Sequence, residues 1–202
     1  GRLRRSWVAP PHSSILVSIV FRPRLQTMQK ITIAAAVSVA RAIELVTGLR
    51  PEVKWPNDVL LDGKKVCGIL AESHLRGGEV EFAVLGVGIN VNFDASAIPE
   101  IAGIATSLST EAGREISREE LLVVFLRELE ECYEEVARGD EVRREWARRL
   151  VTIGRPVTAT FGEEVEEGMA EGVDEEGALL LRRVDGTLVR IAAGDVTLRR
   201  SP

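Results

Sequence analysis

The sequence predicts an α+β fold that ends in a small all-β module. Three observations predict it: a long apolar stretch of helical period set among β-branched runs, two amphipathic helical stretches between residues 117 and 150, and a glycine-punctuated tail of short apolar runs from residue 152.

In chain order, residues 15–21 are rich in β-branched side chains and stop at Arg22-Pro23, as a buried strand would. Residues 28–46 place Ile33, Ala36, Val37, Ala40 and Ile43 at three- and four-residue intervals, with Gly48 to end the helix. Residues 52–55, 59–61, 66–72 and 80–91 then read as successive strands, turning at Asp62-Gly63 and Gly77-Gly78. Ser117-Arg-Glu-Glu120 has the form of a reciprocal capping box ahead of a helix with Leu121, Leu122, Phe125, Leu129, Tyr133 and Val136 on one face. Asp140 caps a third helix carrying Val142, Trp146 and Leu150, and these aromatic stripes read as core. Beyond residue 152, runs at 155–160, 165–173, 178–184, 188–192 and 196–198 alternate with glycine turns. So short a set of strands is expected to close into a small barrel, which removes exposed edges. A domain boundary is therefore expected near residue 152.

The bulk properties narrow the function. With 202 residues, 45% hydrophobic and 28% charged, the chain can bury a core like any globular protein. The apolar run 31–40 is broken by Thr32 and Ser38 and falls short of the roughly 20 residues of a membrane span. No secretory signal is visible, and the expectation is a cytoplasmic protein. Cys67 and Cys132 have no metal-type spacing and read as reduced packing residues. The net charge of −5 is uneven, because residues 1–55 hold nine basic side chains against Glu44 and Glu52. A basic N-terminal segment suits an anionic ligand, although a solvated basic face would look the same. Neither a continuous basic footprint nor a helix-turn-helix is evident, so no DNA binding by this chain is expected.

Four segments have residues suited to chemistry. Lys54-Trp55-Pro56-Asn57-Asp58 ends a strand at proline and presents an ammonium, an amide and a carboxylate on one loop. Lys54 can grip phosphate, Asn57 help hold Mg2+ and Asp58 orient a nucleophile, but an ordinary polar turn uses the same residues. Lys65 opens the run Val66-Cys67-Gly68-Ile69-Leu70, where a mid-strand glycine marks close approach of a ligand, or Lys65 is a solvated hairpin tip. In residues 85–92, Gly86 and Gly88 alternate along one strand face, leaving a flat floor for a planar ring, with Asn90 available to a base. The third glycine and following helix of a dinucleotide fingerprint are absent. Residues 1–7 offer Arg2, Arg4 and Arg5 to phosphates and Trp7 to an apolar ligand, or form a frayed terminus.

In this order, the basic loop ending in Trp7, KWPND at 54–58, KVCGIL at 65–70, LGVGINVN at 85–92 and the segment opening Gly154-Arg-Pro-Val157 resemble the biotin protein ligase family over essentially the whole chain. The resemblance implies a mixed β-sheet backed by helices, of the class II aminoacyl-tRNA synthetase and biotin ligase type, over residues 1–151. A small SH3-like barrel would follow over 152–202. It implies formation of biotinyl-5'-AMP from biotin and MgATP, then transfer to a lysine of a biotin carboxyl carrier protein, the acetyl-CoA carboxylase subunit. Arg2 would restrain phosphate and adenylate, Lys54 contact phosphate, and Lys65 bind the biotin carboxylate and reacting phosphate. Trp7, Gly68 and Leu70 would meet biotin, Asn90 and Asn57 the nucleotide and its Mg2+, and Asp58 would orient the incoming amine. A lipoate or octanoyl ligase or transferase of the same superfamily, or a non-catalytic biotin-responsive regulator core, are the alternatives. Homodimerisation through a sheet edge is the analogous assembly. The chain opens in the middle of the family's glycine-arginine loop, with Arg4 at a usual glycine position and His12-Ser13-Ser14 replacing a glycine-rich turn. An upstream segment is therefore expected, and weak activity without it.

Overall fold

The computed structural model describes residues 7–22, 28–77, 79–161 and 164–198. Its first sheet has the order β1-β5-β4-β3-β2, formed by β1 (Ser14–Phe21), β2 (Glu52–Lys54), β3 (Asp58–Leu61), β4 (Lys64–Arg76) and β5 (Glu79–Asn90). All its ladders are antiparallel, and among the described residues parallel neighbours occur only as the isolated bridges Val53–Leu150 and Lys65–Ala105.

Strand alternation sorts this sheet into two faces. Ile15, Cys67, Ile69, Val87 and Ile89 point to one face and are buried there. Helix α1 (Met28–Thr47) packs across β3, β4 and β5 and against α3 (Arg118–Arg138) and α4 (Glu141–Arg149). Covered on both sides, α1 buries Ile31, Ala34, Ala35, Val37, Ala40 and Ile43 completely. Gly48, at φ 76°, ends it in the left-handed region that glycine tolerates.

Charged groups tie the helices together. Arg41 of α1 meets Glu128 of α3 and Glu145 of α4, while Arg149 of α4 bridges Glu145 and Glu44 of α1. Burial pushes the Glu145 carboxyl up, but the two arginines outweigh it and hold the group below the usual carboxylate range. Ser117 caps α3 by accepting from Glu120 N–H at 3.2 Å. The reciprocal half of the capping box differs from expectation, since Ser117 Oγ donates to Glu119 instead. Asp140 precedes α4 without a side-chain cap bond, its carboxylate lying 3.5 Å from Arg143. A short helix, α2 (Leu108–Ala112), capped by Ser107, was not anticipated.

The second sheet has the order β10-β6-β7-β8-β9, from β6 (Pro156–Phe161), β7 (Glu164–Val173), β8 (Leu179–Arg182), β9 (Leu188–Ile191) and β10 (Asp195–Leu198). The expected SH3-like barrel is corrected here: β9 and β10 are opposite edges that do not pair among the described residues, so the sheet is open. Edge avoidance takes another form, because both edge strands have only four residues and carry Arg190 and Asp195.

Trp55 joins the two sheets. It is 2% exposed, its N–H donates to Thr152 Oγ1 at 3.0 Å, and its Nε1 donates to the Gly177 carbonyl at 2.9 Å.

Candidate active site

Among the described residues the helices α1, α3 and α4 pack on the other side, and the glycines lie on the opposite face of the first sheet. Paired residues in an antiparallel ladder share a face. The register aligns Lys54 of β2, Asp58 of β3, Gly68 of β4, Gly88 of β5 and Leu16 of β1 in one row across the sheet. Gly86, Gly88 and Asn90 alternate on this face, and Leu70 pairs with Gly86 one pleat along. Four residues from three separate motifs, and Leu16 of β1, thus share one row because the pleat has period two.

Trp7 lies on this floor. A Cβ at Gly68 would come within 2.7 Å of Trp7 Cζ3, and one at Gly88 within 2.9 Å of Trp7 Cε2. No side chain other than hydrogen fits under an indole at that height. Gly86 is different, its nearest neighbour being the Leu70 carbonyl at 3.7 Å.

Polar groups line the rim. Lys65 Nζ is 2.6 Å from Asp58 Oδ1 and 5.7 Å from the centre of the Trp7 ring. The Lys54 side chain is half-buried and makes no ion pair or hydrogen bond among the described residues. Trp7 Nε1 and Asn90 Oδ1 are both buried without a hydrogen-bond partner among the described residues. Buried polar atoms of this kind are costly unless something pairs with them. Cys67 faces the core, where burial pushes its thiol up against the pull of Lys65, so it offers no thiolate.

The KWPND loop is built into the core as well as facing the site. Its Trp55-Pro56 bond is cis. Asn57 is clamped to β4: its side-chain Nδ2 donates to the Ile69 carbonyl, and its carbonyl accepts from Ile69 N–H at 3.0 Å. Its Oδ1 is the atom left to offer a ligand. A cleft of about 290 Å3 opens beside it between the two sheets, lined by Trp55, Pro56, Asn57, Leu70, Gly177 and Ala193 among others. A wider concavity of about 920 Å3 contains Glu44, Arg50, Glu52, Asp62 and Arg149 and none of the candidate residues.

The structure therefore brings together Trp7, Lys54, Asp58, Lys65, Gly68 and Leu70, with Asn90 one pleat beyond Gly88. Arg2, Arg4 and Arg5 lie outside the described residues. Two residues were not anticipated. Trp55 is the joint to the second sheet, and Thr106 meets both Lys65 and Asn90 through its backbone. Ser107-x-x-Thr110-Glu111, a capping pattern, was the local signal for the second.

The arrangement can hold an apolar group against the indole that covers the glycine floor, balance anions with Lys54 and Lys65, and pair a base edge with Asn90. Among the described residues, no group of three or more His, Cys, Asp or Glu side chains could hold a metal ion. No helix there is long and apolar enough to cross a membrane.

Residues 1–90 match the Biotin/lipoate A/B protein ligase family, and residues 152–199 match the Biotin protein ligase C terminal domain. The chain is 34% identical to the bifunctional ligase/repressor BirA of Bacillus spizizenii over 98% of its own length and 62% of the relative's. It is 33% identical to the biotin--[acetyl-CoA-carboxylase] ligase of Paracoccus denitrificans over 96% of this chain and 83% of that one. The biotin protein ligase from Aquifex aeolicus, solved with biotin and ATP, superposes with a TM-score of 0.85 at 29% identity, covering 100% of this chain and 84% of that chain. The chain belongs to the biotin protein ligase family.

Proposed function

We propose that these residues form the core of an ATP-dependent biotin protein ligase, with a catalytic unit over 1–151 and a C-terminal unit over 152–202. The observation that carries the proposal is the single cross-strand row in which Lys54, the Asp58 carboxylate and two glycines under an indole line up, with Lys65 ion-paired to Asp58 beside it.

Biotin packs against Trp7, whose indole covers the Gly68–Gly88 floor, with Gly68 and Leu70 offering backbone groups at its edge and Lys65 drawing its carboxylate to the rim. A carboxylate oxygen attacks the α-phosphorus of ATP, the bond to the β-phosphate oxygen breaks, and pyrophosphate leaves with the electron pair. Lys54, whose ammonium has no partner among the described residues, and Arg2 hold phosphate, and Asn90 meets the adenine. The Asp58–Lys65 pair gives Lys65 an internal counterion at rest, which the arriving anion replaces.

In the second step the acceptor lysine nitrogen attacks the acyl carbon and AMP departs. An unperturbed lysine, with pKa about 10.4, is almost wholly protonated near neutral pH. Asp58, released from Lys65, orients that amine and takes up its proton as the C–N bond forms. Asn57, its nitrogen committed to Ile69, would offer its Oδ1 to a Mg2+ ion accompanying ATP, which would supply positive charge at the phosphates.

The carrier is a biotin carboxyl carrier protein of acetyl-CoA carboxylase, which places the work in the cytoplasm. The outer edge of β1, eight residues without a charge, is the edge available for homodimerisation.

The test is biotin-dependent exchange of labelled pyrophosphate into ATP by the 202-residue chain. Exchange that requires both biotin and MgATP supports the proposal. Exchange driven by lipoate instead, or by neither acid, overturns it.

A further inference from the structure

Residues 104–106 run beside the start of β4. Lys65 N–H donates to the Ile104 carbonyl at 2.9 Å, and Thr106 N–H donates back to the Lys65 carbonyl at 2.9 Å. The Thr106 carbonyl accepts from Asn90 Nδ2, also at 2.9 Å. Its hydroxyl donates to Glu111 Oε1 of α2 at 2.5 Å. One threonine, 3% exposed, thus joins the β4 lysine, the β5 amide and helix α2. Lys65 and Asn90 have no hydrogen bond to each other among the described residues.

An asparagine amide has a donor end and an acceptor end. With the Thr106 carbonyl on the donor end, turning the amide over would set two oxygens against each other. The orientation of Asn90 is therefore fixed from outside the strand. Its acceptor end is left buried and unpaired, on the same face as Gly88. Such an atom rewards a ligand that brings a donor and penalises one that brings another acceptor.

We propose that Thr106, anchored by Glu111, is a positioning residue that makes the site select a 6-amino over a 6-oxo purine nucleotide. It does so by holding the Asn90 acceptor toward the base while steadying Lys65 at the reacting end. The proposal rests on the reading that Asn90 meets the base. A 6-amino group donates to Asn90 Oδ1, whereas a 6-oxo group opposes it with a lone pair. Thr106 itself touches neither nucleotide nor acid.

The experiment compares Thr106→Val, Glu111→Ala and Thr106→Ser with the parent chain. Biotin-dependent pyrophosphate exchange is measured with ATP and with ITP. The ATP-to-ITP ratio of kcat/KM is expected to fall about tenfold in T106V and E111A, the discrimination of roughly one hydrogen bond, and to stay within about threefold in T106S. A merely structural role lowers both nucleotides in step and leaves the ratio unchanged, which overturns the proposal. A second readout needs no activity: in nucleotide-free protein the Asn90 side-chain amide protons, followed by NMR, should exchange with solvent about tenfold faster in T106V than in the parent. Unchanged amide exchange overturns the positioning role. If the parent exchanges pyrophosphate with neither nucleotide, the ligase reading fails while the amide measurement still decides this one.

Discussion

Adding one methyl group at Gly88 should disable the floor without unfolding the sheet. The new Cβ would sit 2.9 Å from Trp7 Cε2, and an ordinary contact begins at 3.4 Å, so the indole must retreat by about 0.5 Å or swing away. Gly88 has no positive φ, so the backbone itself accepts alanine. The displaced indole no longer packs on biotin, and losing an apolar contact of about 1–3 kcal/mol corresponds to a loss of biotin affinity of about 5- to 150-fold. Gly86→Ala is the control, because its Cβ would meet only the Leu70 carbonyl at 3.7 Å. Two assays read the outcome: biotin affinity by calorimetry, and acrylamide quenching of tryptophan fluorescence. Trp55 and Trp146 are 2% and 1% exposed, so added quenching in Gly88→Ala reports Trp7. Unchanged affinity and quenching in Gly88→Ala, or equal losses in Gly86→Ala, would refute the reasoning.

Further predictions follow from the rim and the core. Lys65→Met should lower pyrophosphate exchange by about 100-fold or more, whereas Asp58→Asn should keep exchange within about fivefold and lower transfer to the carrier by about 100-fold. Equal losses in both half-reactions for Asp58→Asn would contradict its separate role. The Glu145 carboxyl is held below its unfolded value, near 4.3, so its contribution is present above that pH and lost as pH falls through the folded-state value. Glu145→Gln should therefore cost about 1–3 kcal/mol at pH 7 and flatten the acid-side decline in urea denaturation; a parallel decline would count against the linkage. Trp55→Phe, which removes the Nε1 bond to Gly177, should lower stability by about 1–2 kcal/mol and make the second sheet easier to proteolyse; an unchanged cleavage rate would show that the joint does not depend on that bond.

Local and short-range features were legible in the sequence. The interval of Ile33, Ala36, Val37 and Ala40 announced α1, and Ser117 announced α3, because both signals lie within one or two helical turns. The alternation of Gly86 and Gly88 announced a flat strand face. What the sequence concealed depends on long-range pairing. Nothing in KWPND shows that Asn57 Nδ2 is spent on Ile69, or that Trp55 reaches Gly177, 122 residues away. The glycine floor was foreseen, but Trp7 as the ring lying on it in this structure was not, since residues 7, 68 and 88 meet only through the sheet register. The barrel expectation failed because edge protection has several solutions, and this module uses short charged edges.

The central claim is tested most directly by incubating the 202-residue chain with biotin, MgATP and a purified biotin carboxyl carrier domain, then weighing the carrier by mass spectrometry. The account predicts the mass increase of one biotin joined through an amide to one lysine, dependent on ATP and abolished by Lys65→Met. An unmodified carrier under conditions where the chain binds biotin, or modification that does not require ATP, would contradict it.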